Sequence, residues 1–343
     1  MGENSIRTLD GLIEAAERIT IAVHTHPDGD AAGSGAALLS YLRERRGKDA
    51  VLLLPDPLPD SLTFVLPRDG VMVYEEAPET ACGRIAASDL LFGLDFNAFD
   101  RTGGAEIPLR ESRAEKVLFD HHLSPDRAAF DLVFSRTEVS SACEVLFDTL
   151  LALPDIAGDA GKLPAACTYA LMTGMTTDTN NFANSVFPGT LRMASALLAA
   201  GTDRDDILAR LYNRYRENRF RLMGYLLSEV LRITPEGVAY MILRKEDQLR
   251  FNMRQGETEG FVNLPLGIDR VRMSLFLTEQ EDHFRVSVRS KKGTSANRMA
   301  ASRFHGGGHE LAAGGKLYFP ADIPGPDDAQ AYILKGIEGF FEG

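Results

Sequence analysis

Between residue 19 and about residue 185, short apolar runs alternate with longer stretches of helical period. Apolar runs at 19–23, 50–54, 71–74, 90–94 and 117–119 read as strands. The stretch 31–46 places Leu38, Leu39 and Leu42 on one face and stops at Gly47, which predicts a helix. Two more helices are expected over 140–151 and 163–177. Such alternation predicts a parallel sheet covered by helices. Residues 188–229 carry no strand signal. Pro188-Gly189 breaks the chain there, a helix over 191–200 stops at Gly201, and 203–227 continues as charged helix. Beyond about 230 the texture changes. Runs at 229–233 and 238–243 flank the hairpin signal Thr234-Pro235-Glu236-Gly237, and runs at 271–277 and 284–289 flank the polar turn 279–282. A helix over 295–304, a glycine-rich segment and a last helix over 327–341 follow. The expected fold class is α/β: an N-terminal parallel-sheet domain (1–187), a helical connector (188–228) and a smaller C-terminal mixed α/β domain (229–343).

A chain of 343 residues fits two domains, and 44% hydrophobic with 25% charged residues is ordinary for a soluble globular protein. Cys82, Cys143 and Cys167 are too few and scattered for a disulfide framework and read as reduced, buried thiols. No signal peptide is visible and no apolar run is long enough to span a bilayer, which points to a cytoplasmic protein without a membrane partner. A net charge of -12 argues against tight binding of long duplex nucleic acid, which rests on neutralising many phosphates. It leaves room for a short nucleotide held by metal ions and a local basic patch. One acid-free stretch supplies such a patch: Arg285, Arg289, Lys291, Lys292, Arg298 and Arg303.

The candidate chemistry gathers at strand ends, where ligands of parallel sheets bind. His24, Asp28 and Asp30 follow the run 19–23, with Pro27 and Gly29 allowing the chain to turn so that both carboxylates can face one ion. The alternative is an aspartate that caps the next helix. The small residues Ala31-Ala32-Gly33-Ser34-Gly35 allow close backbone approach, and the free N–H groups of a helix start favour anions. Asp95 closes the run 90–94 and could equally be a strand-end cap. Asp120-His121-His122 closes the run 117–119, where one histidine can bind metal while the aspartate supports a neighbour. Asp178 sits in a Thr/Asn-rich segment that could be a simple turn, and His26 is expected to face solvent or a phosphate. Carboxylates and imidazoles without thiolate suit Mn2+, Mg2+ or Zn2+, and there are more ligands than one tetrahedral ion needs. In the last domain Gly306-Gly307-Gly308-His309 reads as a loop whose N–H groups could cradle a phosphate, or as a tight turn.

In this order the segments His24-x-x-x-Asp28-x-Asp30, Asp95, Asp120-His121-His122 and Asp178 resemble the four motifs of DHH phosphoesterases. Val288-Arg289-Ser290 through Asn297 to Gly306–Gly314 is similar to the DHH-associated domain. The layout most resembles bacterial nano-RNase/pAp phosphatases. The resemblance implies that His24 and Asp28 hold one metal, that Asp30, His121 and Asp178 hold the other, and that Asp95 bridges them. It implies that His122 contacts the scissile phosphate or assists proton transfer, with Asp120 behind it. Arg289, Ser290, Gly306, Gly307, Gly308 and His309 would grip the substrate.

The function so implied is hydrolysis of very short single-stranded RNA to mononucleotides, and of pAp to AMP plus phosphate, in a cleft between the domains. Two divalent ions, Mn2+ foremost with Mg2+ or another ion as the alternative, would clamp the phosphate. Hydrolysis of linear or cyclic dinucleotides, or of pyrophosphate or polyphosphate, would use the same site. A metal-dependent nucleotide sensor without turnover is the reading from another class. A homodimer is compatible with the sequence but not encoded in it.

Overall fold

The computed structural model describes residues 2–213, 215–254 and 256–341. Met1 of the expected first domain, Arg214 of the expected connector, and Gln255, Glu342 and Gly343 of the expected second domain lie outside the described residues. The chain divides into two compact units, Met1–Arg214 and Tyr215–Gly343.

The first unit runs α1 (Glu3–Ala15), β1 (Arg18–Ala22), α2 (Gly29–Ser40), β2 (Asp49–Leu54), β3 (Val71–Val73), α3 (Pro78–Ala86), β4 (Leu90–Leu94), α4 (Glu106–Glu111), β5 (Glu115–Asp120), β6 (Leu132–Ser135), α5 (Ala142–Ala152), α6 (Ala165–Asp178), α7 (Pro188–Ala199) and α8 (Arg204–Tyr212). Its six strands lie in the order β3-β2-β1-β4-β5-β6, all parallel. Successive strand side chains point to opposite faces, and here both faces are covered. Ile19, Ile21, Val23, Leu52 and Leu54 enter a core with residues of α1, α2, α5 and α6. Ala22, Leu53, Leu91 and Leu118 enter a second core with Ala81 and Ile85 of α3 and Leu109 of α4. This two-sided burial is why the strands read as unbroken apolar runs. The strand order reverses between β1 and β4, so chains leaving their carboxyl ends diverge and open a crevice.

The small residues at the start of α2 serve helix packing. A Cβ on Gly33 would lie 2.7 Å from the Ala170 carbonyl oxygen and 2.9 Å from Gly174 Cα, so only glycine lets α2 lie this close to α6. All residues of α2 are buried. The close approach expected of this stretch is thus made by a neighbouring helix.

In the first unit α1, α3, α4 and β6 add to the expected set. α1 buries Ile6, Leu9 and Ile13, and β6 pairs in parallel with β5 at the sheet edge. The stretch expected as a connector is divided. Met193, Ala194 and Leu197 of α7 and Ile207 of α8 are buried in the core of the first unit. Leu222 and Leu226 are buried in a core of the second.

The second unit comprises α9 (Glu217–Tyr225), β7 (Arg232–Ile233), β8 (Val238–Leu243), α10 (Lys245–Arg250), β9 (Met273–Glu279), β10 (His283–Ser290), α11 (Ala296–Arg303), β11 (Gly307–Gly308), β12 (Ala312–Tyr318) and α12 (Ala329–Phe341). Its sheet is mixed, in the order β11-β12-β10-β9-β8-β7, with β8 and β9 parallel and the other pairs antiparallel. The expected hairpin forms, with the Gly237 N–H donating to the Thr234 carbonyl at 3.0 Å. Its first strand is shorter than expected, because residues Leu226–Val230 continue the preceding helix as a wider π turn. Tyr240 faces one core with α11 and α12, while Met241 and Leu243 face the other. Cys143 and Cys167 are buried free thiols, and Cys82 is a half-buried one. Among the described residues no helix is long and apolar enough to cross a membrane.

Candidate active site

The crevice at the carboxyl ends of β1, β4 and β5 collects every acid and histidine expected there. Asp95 sits at its centre, 3% exposed. It takes a left-handed backbone (φ 62°), a conformation that aspartate tolerates better than most residues. Its N–H donates to the Phe119 carbonyl at 2.9 Å, which fixes the turn after β4 against β5. Its two oxygens then reach in different directions. Oδ2 lies 3.5 Å from His24 Nε2, and Oδ1 lies 3.3 Å from His121 Nε2.

His24 is oriented by its neighbour. Its Nδ1 lies 2.8 Å from the Thr25 carbonyl, so Nδ1 carries the proton donated there and Nε2 is presented to the acids. Asp28 Oδ1 stands 3.8 Å from that Nε2. The same oxygen accepts the N–H groups of Asp30 and Ala31 and caps α2. Helix capping and cluster membership are therefore both true of Asp28, and the first N–H groups of α2 are engaged by it. Asp30 is 1% exposed and is held by the start of another helix: Oδ2 accepts the Ala142 N–H at 2.6 Å, and Oδ1 the Cys143 N–H at 3.0 Å. His121 Nε2 faces Asp30 at 3.9 Å and Asp178, the last residue of α6, at 3.7 Å.

These side chains fall into overlapping groups, His24–Asp28–Asp95, Asp30–His121–Asp178 and Asp95–His121–His122, whose donor atoms lie within 4.8 Å of one another in each group. The donor set fits divalent metal ions. Asp95 Oδ1 is buried, with the His121 ring at 3.3 Å and no well-formed hydrogen bond, and a buried carboxylate oxygen is costly unless positive charge meets it.

The electrostatics tell the same story. Burial works against charge on His24, but Asp95 and Asp28 outweigh it and raise its pKa to about 9. His121 goes up to about 10, because Asp95, Asp30 and Asp178 override its burial. Burial would raise the pKa of Asp95, yet the two imidazoles win and lower it to about 2. Asp178 is raised to about 6 by burial and by the charges of Asp95 and Asp28, against His121. Burial, then Asp95 and Asp178, push Asp30 well above the usual carboxylate range. Without a cation the acids hold protons on both histidines.

His122 differs from its neighbour. Its Nδ1 lies 2.7 Å from Asp120 Oδ1, and Asp120 is fully buried, so Nδ1–H donates to the carboxylate and the ring's Nε2 is the free nitrogen. His26 lies outside the groups. Its side chain is exposed, and its N–H is bound by the buried Asp56 at 2.8 Å. Asp56, Ala142 and Cys143 were not expected from the sequence. Asp56, in the proline-rich loop 55–67, offered a side-chain signal, whereas the others act through backbone N–H groups that any residue supplies.

Two models of known families match the chain: the DHH family, N-terminal domain, over residues 18–175, and the DHHA1 domain over residues 236–331. The chain is 31% identical to the bifunctional oligoribonuclease and PAP phosphatase NrnA of Thermus thermophilus, over 97% of this chain and 93% of that protein. It belongs to the DHH family of phosphoesterases. Such an enzyme hydrolyses phosphoric esters, and the acid–histidine groups above have the donors to hold metal. It is also 28% identical to the protein of the same name from Bacillus subtilis, over 87% of this chain and 90% of that one. Among solved structures, an exopolyphosphatase-related protein from Bacteroides fragilis aligns with TM-score 0.90 and 32% identity, covering 99% of this chain and 97% of that chain.

In the DHHA1 part, the residues expected to grip substrate differ in what they offer. Arg289, on β10, donates from Nη1 to the Val288 and Ala313 carbonyls at 2.9 and 3.3 Å. It is half-buried, and no carboxylate forms an ion pair with it among the described residues; burial lowers its pKa. The Ser290 hydroxyl is buried and donates to the Thr294 carbonyl at 2.6 Å, so it holds a turn. The glycine segment departs from the expected open cradle. Gly307 and Gly308 form β11 against β12. The N–H of Gly306 goes to the Ala300 carbonyl, that of Gly308 to Asn297 Oδ1, and that of His309 to the Ala312 carbonyl. The glycines are required by this packing: a Cβ on Gly306 would lie 2.0 Å from the Gly314 carbonyl oxygen. His309 itself is exposed.

Proposed function

We propose that this protein is a metal-dependent hydrolase of very short RNA and of pAp, releasing mononucleotides from the first and AMP plus phosphate from the second. The observation that carries the reading is Asp95, whose buried Oδ1 and Oδ2 face two separate acid–histidine groups. A carboxylate so placed suits a bridge between two cations. The names of the relatives from Bacillus subtilis and Thermus thermophilus support the choice of substrate.

In this reading His24, Asp28 and Asp95 hold one divalent ion, and Asp30, His121, Asp178 and Asp95 the other. When bound, the ions supply Lewis acidity and stabilise charge building on the phosphate. His122 presents its Nε2 to the phosphate or to the departing oxygen and delivers a proton or hydrogen bond there. Asp120 holds the ring in the tautomer that permits this. Arg289, half-buried and in no ion pair among the described residues, pairs with a substrate phosphate through a charge-assisted hydrogen bond, and the exposed His309 is its companion. Mn2+ is the ion of choice for this donor set, with Mg2+ the alternative.

A panel with Mn2+ tests the proposal: RNA of two to about twenty nucleotides, pAp, linear and cyclic dinucleotides, and pyrophosphate. Turnover falling steeply with RNA length, together with phosphate release from pAp, is the expected result. A strict preference for pyrophosphate or for cyclic dinucleotides would displace it. Nucleotide binding without any turnover would favour a sensor.

A further inference from the structure

The first turn of α5 carries a carboxylate with no role in the mechanism above. Glu144 is 1% exposed. Its Oε2 accepts three hydrogen bonds: from the Ser140 N–H at 2.9 Å, from Ser140 Oγ at 2.7 Å and from Thr190 Oγ1 of α7 at 2.7 Å. A Cβ on Gly189 would lie 2.3 Å from Glu144 Oε1, so α7 begins hard against this carboxylate. Ser141 is the N-cap of α5, and its Oγ accepts the Glu144 N–H at 3.1 Å. Serine followed three residues later by glutamate is the pattern of a capping box, in which the glutamate returns to the N-cap N–H. Here it reaches one residue further back, to Ser140, and across to another helix.

This arrangement fixes the two N–H groups that follow immediately. Those of Ala142 and Cys143 belong to the first turn of α5, where helical donors lack partners within the helix. They are the pair that hold the two oxygens of Asp30 at 2.6 and 3.0 Å. A buried carboxylate is costly unless its hydrogen bonds are satisfied, and Glu144 has been given donors from the turn before α5 and from α7. Its consequence is a rigid seat for Asp30, which turns the Asp30 carboxylate toward His121 and Asp178.

We propose that Glu144 is a positioning residue for Asp30. By tying the Ser140–Ser141 turn to Thr190, it sets the Ala142 and Cys143 N–H groups and so the direction of the Asp30 carboxylate. The inference rests on the reading of the Asp30–His121–Asp178 group as a metal site.

Calorimetric titration of the metal-free full chain with Mn2+ tests it, with Asp30→Asn marking which class of site contains Asp30. Glu144→Ala is expected to weaken that class roughly 10–100-fold, as loss of outer support for a metal ligand does, and to leave the other class unchanged. Thr190→Val should weaken the same class by less. Glu144→Gln, which keeps an oxygen for the same donors, should restore most of the affinity. Equal weakening of both classes, or unchanged affinity in folded Glu144→Ala and Thr190→Val proteins, overturns the proposal. If Glu144→Ala does not fold, Thr190→Val decides by the same criterion. Failure of the unaltered protein to bind two Mn2+ ions would instead remove the metal reading on which the proposal stands.

Discussion

His122 Nδ1 lies 2.7 Å from Asp120 Oδ1, whereas the adjacent His121 turns its Nε2 into the acid cluster. Two neighbouring histidines that share Asp95 thus have different main partners, and their substitutions should separate too. His122→Ala is expected to keep both metals and to lose about 10²–10⁴ in rate, the usual range for acid–base assistance. Asp120→Asn should act in the same direction with a smaller loss of about 10–100-fold, through the orientation of the ring. Single-turnover kinetics paired with metal titration checks this. Loss of a metal in His122→Ala but not in His121→Ala would reverse the two assignments.

Asp95 should be the residue on which both metal groups depend. Asn is the cleaner substitution, because Asp95 has φ 62° and asparagine tolerates that region while alanine is strained there. Asp95→Asn keeps the shape and removes the charge between His24 and His121. Turnover should fall to background and affinity for both Mn2+ ions should drop. A folded Asp95→Asn protein with near-normal Mn2+-dependent hydrolysis would be incompatible with a bridging role.

Arg289 and Ser290 are adjacent in sequence but should respond differently. Arg289→Ala should raise KM for dinucleotides and pAp by an amount of order 1.5–3 kcal/mol, as for one charge-assisted contact, with metal affinity nearly unchanged. Ser290→Ala removes a buried hydroxyl that donates to the Thr294 carbonyl. It should lower stability by about 1 kcal/mol and leave KM alone. Steady-state kinetics on RNA of two to about ten nucleotides, with denaturant unfolding, distinguishes the two. An unaltered KM in folded Arg289→Ala would mean that this guanidinium serves the strand and not a phosphate.

The contrast between these residues shows what a sequence can reveal. The strands of the first unit were legible because both faces are buried, as with Ile21 and Ala22 on opposite sides of β1. His24, Asp28, Asp30, Asp95, His121 and Asp178 were legible because chemically expressive side chains recur where apolar runs end. What holds them was not. Asp30 is held by backbone N–H groups more than a hundred residues away, and any residue other than proline supplies such a donor. The glycines 306–308 are required by close packing against β12, and sequence alone does not tell an approaching anion from an approaching strand. Helices α7 and α8 looked like part of a connector because the stretch is helical and carries no strand signal, while buried apolar residues such as Met193 and Ile207 fix them to the core.

The last prediction concerns protons. In the metal-free protein His24 titrates at about 9 and His121 at about 10, both above the ordinary 6.5, because their acidic neighbours outweigh the effect of burial. Each imidazole must be neutral to bind a metal. At pH 7.5, Mn2+ binding should therefore release roughly two protons, one from each ring, and more if Asp30 also starts protonated. Apparent affinity should climb as pH rises toward 9. The sign for stability is opposite in the metal-free state. A pKa raised on folding stabilises the fold fully below the unfolded value near 6.5, and that contribution is lost as pH rises through 9 to 10. The metal-free protein should thus lose thermal stability across that window, and saturating Mn2+ should remove the trend, since neutral rings are then the bound form. Calorimetry in two buffers of different ionisation enthalpy measures the protons, and melting curves from pH 6 to about 10 measure the rest. A binding enthalpy independent of buffer would show that the imidazoles are already neutral, and that the acids around them do not hold protons in place of metal.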